Sequence, residues 1–231
     1  MLDSFAQKLI KKVESDYNLI APHFSQTRQH DWPEFQLLHK LVKPEDQVLD
    51  VGCGNGRLAE IIEKIKGYYT GLDVSKKLIT EGKKLYPDIK LVQGSMLELP
   101  FANEEFNVTI AIASLQHIPS KKYRLQALQE MSRVTKPGGS LFMMNWNLYQ
   151  PALPDYFTNV PNEFENGDAI VPWKNEQGEV LAERYYHGFT IPELNELLDD
   201  ASWKNADNFY STNNEKTDQK LGRNIITIAK K

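Results

Sequence analysis

Gln47-Val48-Leu49-Asp50-Val51-Gly52-Cys53-Gly54-Asn55-Gly56-Arg57 is the stretch on which the fold of this 231-residue chain turns. Gln47–Val51 is a short run rich in β-branched and aliphatic residues and reads as a strand. Three glycines follow at alternate positions, and then Leu58, Ile61, Ile62 and Ile65 recur at helical spacing across Arg57–Lys66. Strand, glycine loop and helix in that order open a doubly wound sheet, which binds its ligand outside the carboxyl ends of the strands. Glycine permits positive φ and close backbone approach. The free amides at the start of the next helix favour an anionic group.

Downstream the alternation continues. Tyr68–Val74 reads as a strand, Lys76–Tyr86 as a helix, and Ile89–Gln93 and Asn107–Ala113 as strands. Ser120 is placed to cap a helix reaching Val134, with Leu125, Leu128 and Met131 inward. Lys136-Pro137-Gly138-Gly139 ends that helix and turns the chain into a strand over Leu141–Trp146. Thr190-Ile191-Pro192-Glu193 has the form of a capping box, and strands are expected at Ala206–Ser211 and Asn224–Ala229. The expectation is one α/β domain over 1–231, a doubly wound, seven-stranded, mostly parallel Rossmann-like sheet. Residues 1–46 form an N-terminal helical cap, with helices over Asp3–Asp16 and Pro33–Val42 separated by a polar and aromatic stretch, Tyr17–Trp32. Residues 147–189 break the rhythm after the fifth strand. An insertion of that length is functional or mobile, and it is assigned to the substrate side.

Composition narrows the class. With 41% hydrophobic and 25% charged residues the chain is an ordinary globular one. No apolar run approaches the ~18 residues of a membrane span. Met1–Val13 lacks the continuous hydrophobic region of a signal peptide. Its Leu2, Phe5, Leu9 and Val13 suit a docked amphipathic helix better than a membrane-surface one, because the polar face is only mildly basic. The single cysteine, Cys53, rules out an intrachain disulfide and fits a cytoplasmic location. One cysteine and five scattered histidines give no metal-ligand spacing. The net charge of −4 does not advertise a nucleic-acid partner, so a local basic face or a partner protein would have to supply that attraction.

Two cofactors compete for the glycine loop. Dinucleotide sites use G-x-G-x-x-G or G-x-G-x-x-A, whereas Gly52, Gly54 and Gly56 are spaced G-x-G-x-G and Arg57 stands where a small residue would pack. Asp50, just before the loop, would repel a pyrophosphate but suits the α-amino group of S-adenosylmethionine. Asp73 ends the second strand, where an acidic residue grips ribose hydroxyls in either kind of site. Val48–Gly56 resembles the first motif of class I S-adenosylmethionine-dependent methyltransferases, and Gly71-Leu72-Asp73-Val74-Ser75 resembles their second-strand motif. Gly94–Phe101 resembles the adenine-contacting segment, with Ser95 where many relatives carry aspartate, and Lys136–Gly139 resembles the turn before the fifth strand. The resemblance implies S-adenosylmethionine as cofactor and S-adenosylhomocysteine as product. It implies cofactor contacts from Tyr17, Asp50, Gly52, Gly54, Asn55, Gly56, Arg57, Asp73, Val74, Ser95, Met96, Ala113 and Ser114.

The acceptor is read from the flanks. Pyrimidine C5 methylation uses a cysteine nucleophile, and Cys53 is committed to the cofactor loop. Methylation of exocyclic amines commonly uses an Asn/Asp-Pro-Pro-aromatic motif after the fourth strand, where this chain has Ala113-Ser114-Leu115-Gln116-His117. Tyr17–Pro33, Leu115–Ile118 and Arg184-Tyr185-Tyr186-His187 resemble segments of the tRNA wobble-uridine methyltransferases, which esterify 5-carboxymethyluridine; Gln116 replaces the first of two adjacent histidines. That resemblance implies a tRNA substrate and, as in eukaryotic members, a small activator protein. Arg28, His117, Arg184 and His187 are the catalytic candidates: an arginine to hold the carboxylate, and His117 to hydrogen-bond the nucleophile or act as base. Tyr185, His187 and Trp32 could stack on a base or shape the pocket, and Lys121, Lys122 and Arg124 could meet phosphate or be a solvated helix start. A small-molecule O- or N-methyltransferase stays open as the alternative.

Overall fold

The structure is a computed structural model and describes residues 1–28 and 30–231. The chain opens with α1 (Asp3–Thr27), a 3-10 turn (Pro33–Leu37) and α2 (Leu38–Leu41). Then come β1 (Gln47–Val51), α3 (Ala59–Lys64), β2 (Tyr68–Asp73), α4 (Lys76–Leu85), β3 (Lys90–Gln93) and β4 (Phe106–Ile112). A 3-10 turn (Leu115–His117) leads to α5 (Lys121–Val134) and β5 (Thr135–Trp146). The remainder is β6 (Asp168–Lys174), β7 (Val180–His187), α6 (Ile191–Asp200), β8 (Lys204–Thr212), β9 (Glu215–Thr217) and β10 (Asn224–Lys230).

The main sheet runs β3-β2-β1-β4-β5-β10-β8-β9. The pairs among β1 to β5 are parallel, and β10 and β8 join antiparallel. The chain leaves β1 toward β2 and returns to β4 on the other side, so the crevice lies above the ends of β1 and β4. Both faces are covered, which is why the central strands are apolar at nearly every position. Leu49, Ala111 and Met143 pack on one side with α5 and α6; Val48, Ile110 and Phe142 pack on the other with α2 and α3.

Three expectations change. The sheet has eight strands rather than seven, because Asn213 and Asn214 both take positive φ and fold β8 back into β9. Paired left-handed residues make the tight turn that suits a β-hairpin. The helix that was to end at Asp16 runs on to Thr27, straight through Pro22. Proline costs ~3 kcal/mol inside a helix, but the apolar stripe continues through Ile20 and Ala21, and α1 packs on α4 and β7. The 147–189 insertion contains its own hairpin, β6 paired antiparallel with β7, separate from the main sheet.

Candidate active site

The glycine loop leaves β1 into a cleft of about 1150 Å³, counting its open mouth. Gly52 has φ of 76°, and a Cβ there would lie 2.3 Å from that of Ser114, so only glycine lets the loop pass under the β4 end. Ala113 also takes positive φ, at 49°, which turns the chain just past β4. Ser114 then donates to the Val51 carbonyl at 2.8 Å and binds the two strand ends together. Two buried carboxylates face the loop. Tyr69 donates to Asp50 at 2.8 Å, and the backbone amides of Gly54 and Ser75 donate to Asp73. Burial pushes Asp50 up to about 7 and Asp73 up to about 6. Asn55 Oδ1 is buried with no partner. Acceptors in need of positive charge and of donors, in a cradle kept clear by glycine, fit the ammonium, sulfonium and ribose of S-adenosylmethionine.

The opposite wall comes from α1 and the β6–β7 hairpin. Arg28 and Arg184 both lie over the Trp173 ring, at 4.9 and 4.8 Å from its centroid. Tyr186 covers the Arg184 guanidinium at 4.9 Å. Among the described residues neither arginine has a carboxylate within salt-bridge distance. Arg184 donates from Nη1 to the Tyr17 hydroxyl at 3.2 Å, while its Nε is buried and unpartnered. Rings occupy its flanks, Tyr17 takes Nη1 and Nε is enclosed, so Nη2 is what remains to meet an anion in the cleft. Tyr17 in turn contacts His117 Nε2 at 2.7 Å, and His117 Nδ1 lies 3.0 Å from the Tyr185 carbonyl. Burial, with Arg184 nearby, holds His117 down at about 3, so it is neutral.

Tyr17, Arg28, Asp50, Gly52, Gly54, Asn55, Arg57, Asp73, Val74, Ser95, Met96, Ala113, Ser114, His117 and Arg184 all line this one cleft. Gly56 does not; its Cα packs against Ile89 and Leu91, and a Cβ would come within 2.8 Å of Ile89. His187 is also placed elsewhere, and strand geometry gives the reason. Side chains alternate along β7: Ala182, Arg184 and Tyr186 share one face, so Tyr185 and His187 take the other. His187 Nδ1 meets Asp168 at 2.8 Å and Nε2 meets Glu193 at 2.8 Å. Carboxylates only accept, so both ring nitrogens carry protons. Burial opposes that charge, but the two carboxylates outweigh it and its pKa is raised. Arg124 joins the same cluster through Glu165 and Glu193, and the cluster clamps the hairpin to α5 and α6. Tyr185 faces away too, donating to Asp168 at 2.6 Å. Lys121 pairs with Glu196 and Lys122 with Asp3. Trp32 does line the cleft, under the Arg57 guanidinium at 4.2 Å. Gln116 is fully buried away from the cleft and accepts the Trp146 amide at 2.7 Å.

Sequence reasoning missed Trp173, Phe24 and Tyr69. Trp173 was discoverable, since Ala169, Val171 and Trp173 alternate as one inward face of a strand. Phe24 follows Val13, Tyr17 and Ile20 on the buried stripe of α1, once Pro22 is not taken as a stop.

A family profile described as a methyltransferase domain matches residues 49–143. A methyltransferase from Haloferax volcanii, solved in complex with the Trm112 methyltransferase activator, shares the fold with a TM-score of 0.65 at 16% identity, covering 94% of this chain and 96% of that one. Fold and cleft together define a class I S-adenosylmethionine-dependent methyltransferase. The Schizosaccharomyces pombe protein named tRNA (carboxymethyluridine(34)-5-O)-methyltransferase is 30% identical over 222 residues, 87% of this chain and 92% of that protein. The chain belongs to that family of methyltransferases. The Saccharomyces cerevisiae protein of the same name is 32% identical over 173 residues, which cover 74% of this chain and 60% of that protein. The Bos taurus protein named probable tRNA methyltransferase 9B is longer still, and the match covers 35% of it. No helix among the described residues is long and apolar enough to cross a membrane.

Proposed function

We propose that this enzyme methylates the carboxylate of 5-carboxymethyluridine at the wobble position of tRNA. The observation that carries the reading is the pair Arg28 and Arg184, two guanidinium groups on one indole with no carboxylate in salt-bridge distance among the described residues. Arginine matches a carboxylate in a planar, two-pronged geometry. The cofactor supplies an electrophilic methyl group on a sulfonium. Asp50, Asp73 and Asn55 would hold it from one side of the cleft, and the arginines would hold the acceptor from the other. The acceptor carboxylate has an ordinary pKa of ~4, so it needs no base, and the work of the protein is alignment. The neutral, hydrogen-bonded His117 agrees with that division, because a hydroxyl or amine acceptor would ask for a free base. The names of the Schizosaccharomyces pombe and Saccharomyces cerevisiae relatives, which specify carboxymethyluridine 34 and the 5-O position, support the same acceptor. A cytoplasmic site of action, where the buried Cys53 stays reduced, goes with this reading.

The test is to incubate the protein with labelled S-adenosylmethionine and tRNA carrying unesterified carboxymethyluridine, then to digest to nucleosides. The assay is run alone and with a small activator protein of the kind bound to the Haloferax neighbour. A labelled methyl-ester nucleoside that alkali hydrolyses is expected. Label in an alkali-stable product, or in no nucleoside under either condition, would overturn the proposal.

A further inference from the structure

We infer that His117 and Tyr17 are positioning residues, a hydrogen-bond chain of fixed direction that aims the free edge of Arg184 at the acceptor carboxylate. The inference rests on the carboxylate-acceptor reading above. Its direction follows from elementary hydrogen-bond chemistry. The Tyr185 carbonyl can only accept, so His117 Nδ1, 3.0 Å away, must carry the proton. In a neutral ring Nε2 is then the acceptor, and the Tyr17 hydroxyl at 2.7 Å must donate to it. That leaves the lone pairs of the Tyr17 oxygen facing outward, and Arg184 Nη1 donates to them at 3.2 Å. Every member has one permitted role. If His117 took a proton, Nε2 would become a donor and Tyr17 would have to turn its own proton away from it, so the direction of the chain would be lost.

The surroundings hold the chain in this state. His117 is 6% exposed. The titratable and charged groups facing it are Tyr17 from α1 and Arg184 and Tyr186 from β7, and no carboxylate hydrogen-bonds it among the described residues. The imidazole packs edge-on against Tyr17 at 5.1 Å and Tyr186 at 4.4 Å, so its ring plane is fixed as well. Its only lone pair is spent on Tyr17. A base must offer that lone pair to the acceptor, and here the acceptor meets Arg184 instead. Because Tyr17 holds Nη1 and Nε is enclosed, the rotation of the guanidinium about its stem is set, and Nη2 is the nitrogen left to face the cleft.

Two arms test this. The first is long-range proton–nitrogen NMR of the histidine side chains in the full chain between pH 5.5 and 8.5. The expected result is a resonance, lost in His117→Gln, that carries its proton on Nδ1 at every pH. A proton on Nε2, or titration within that range, would overturn the inference. The second arm is steady-state kinetics with carboxymethyluridine tRNA and any activator the enzyme needs. His117→Gln keeps an acceptor near the Nε2 position and cannot titrate, so kcat/KM should stay within about threefold of wild type, whereas His117→Phe and Tyr17→Phe should each lose about tenfold, mostly in KM for tRNA. At saturating S-adenosylmethionine, which keeps Asp50 and Asp73 ionised, the wild-type kcat/KM for tRNA should show no inflection between pH 6 and 7.5. An acid limb there that His117→Gln abolishes, with kcat collapsing in both histidine variants, would make His117 the base. If wild-type enzyme forms no ester at all, the carboxylate reading falls, and the NMR arm still decides whether the chain exists with the direction given.

Discussion

The two walls of the cleft are opposites. The cofactor wall is built within residues 47–114, from strand ends and a glycine loop, and its buried charges are carboxylates, Asp50 and Asp73. The acceptor wall is built from α1 and a hairpin some 150 residues later in the chain, and its charges are guanidinium groups among aromatic rings. Among the described residues no salt bridge answers either set: Arg57, the cation of the cofactor wall, lies over Trp32 and bridges neither Asp50 nor Asp73, and no carboxylate bridges Arg28 or Arg184. The lesson is that a methyl transfer between a cationic donor and an anionic acceptor is written into the protein as two complementary deficits facing one space. Each reacting partner, once bound, satisfies the wall it lies against.

The comparison can be broken at its sharpest point by Arg184→Gln. Losing a charge-assisted contact of ~3 kcal/mol should lower kcat/KM for tRNA about a hundredfold. The dissociation constant for S-adenosylmethionine should stay near wild type when measured by calorimetry. A variant that loses cofactor instead would show that the walls are not separate. Next in size is the clamp behind the acceptor wall. His187→Gln leaves buried Asp168 with only the more distant Arg124, at 3.9 Å, for a charged partner, so the cost should fall somewhat below the ~3–5 kcal/mol of a fully broken buried pair. Thermal unfolding should report a clear loss of stability, with the folded enzyme's cofactor affinity unchanged. Because the His187 pKa is raised in the folded protein, its contribution is complete below the unfolded value of ~6.5 and is lost as pH rises through the folded one.

The cofactor wall is sharpened by pH. Asp50 and Asp73, raised to about 7 and about 6, must be ionised to hold a cation. Affinity for S-adenosylmethionine should therefore weaken about tenfold as pH falls from 7.5 to 6, with protons released on binding at pH 6.5. Without cofactor the sign reverses. Both carboxyls have folded values above the unfolded one, so the stability that their protonation contributes is lost as pH rises through about 6 to 7. Asp50→Asn should flatten the affinity profile. The smallest effect is expected of Trp173→Phe, which keeps a ring under both arginines but loses the bond from Nε1 to His23. KM for tRNA should rise several-fold, about the ~1 kcal/mol of a cation–π contact.

How much of this was legible depends on the wall. The cofactor wall is local: strand, loop and helix follow one another, and Val48–Gly56, Asp73 and Ser114 could be placed from periodicity and motif order. The acceptor wall is assembled from distant pieces. Arg28 and Arg184 could be singled out, but the ring between them is signalled only by the alternation of Ala169, Val171 and Trp173, in a segment whose prolines and polar residues hide a hairpin. His187 shows a second limit. The run Arg184-Tyr185-Tyr186-His187 was read as a unit, and on a strand its first and last members point opposite ways. Pro22 shows a third: a residue that argues against a helix was overruled by burial on both sides of it.

The reach of the Tyr17 hydroxyl has one more consequence. It joins His117, 100 residues away, and Arg184, 167 residues away. A growing chain makes Tyr17 near its start and Arg184 near its end, so the loop that recognises the methyl donor can close long before the wall that recognises the acceptor has all its parts. Long-range closure of this kind is also the slow part of folding. Competence to bind the donor should thus come first, and competence to choose an acceptor last, so that a half-made molecule holds its cofactor without a place to send the methyl group.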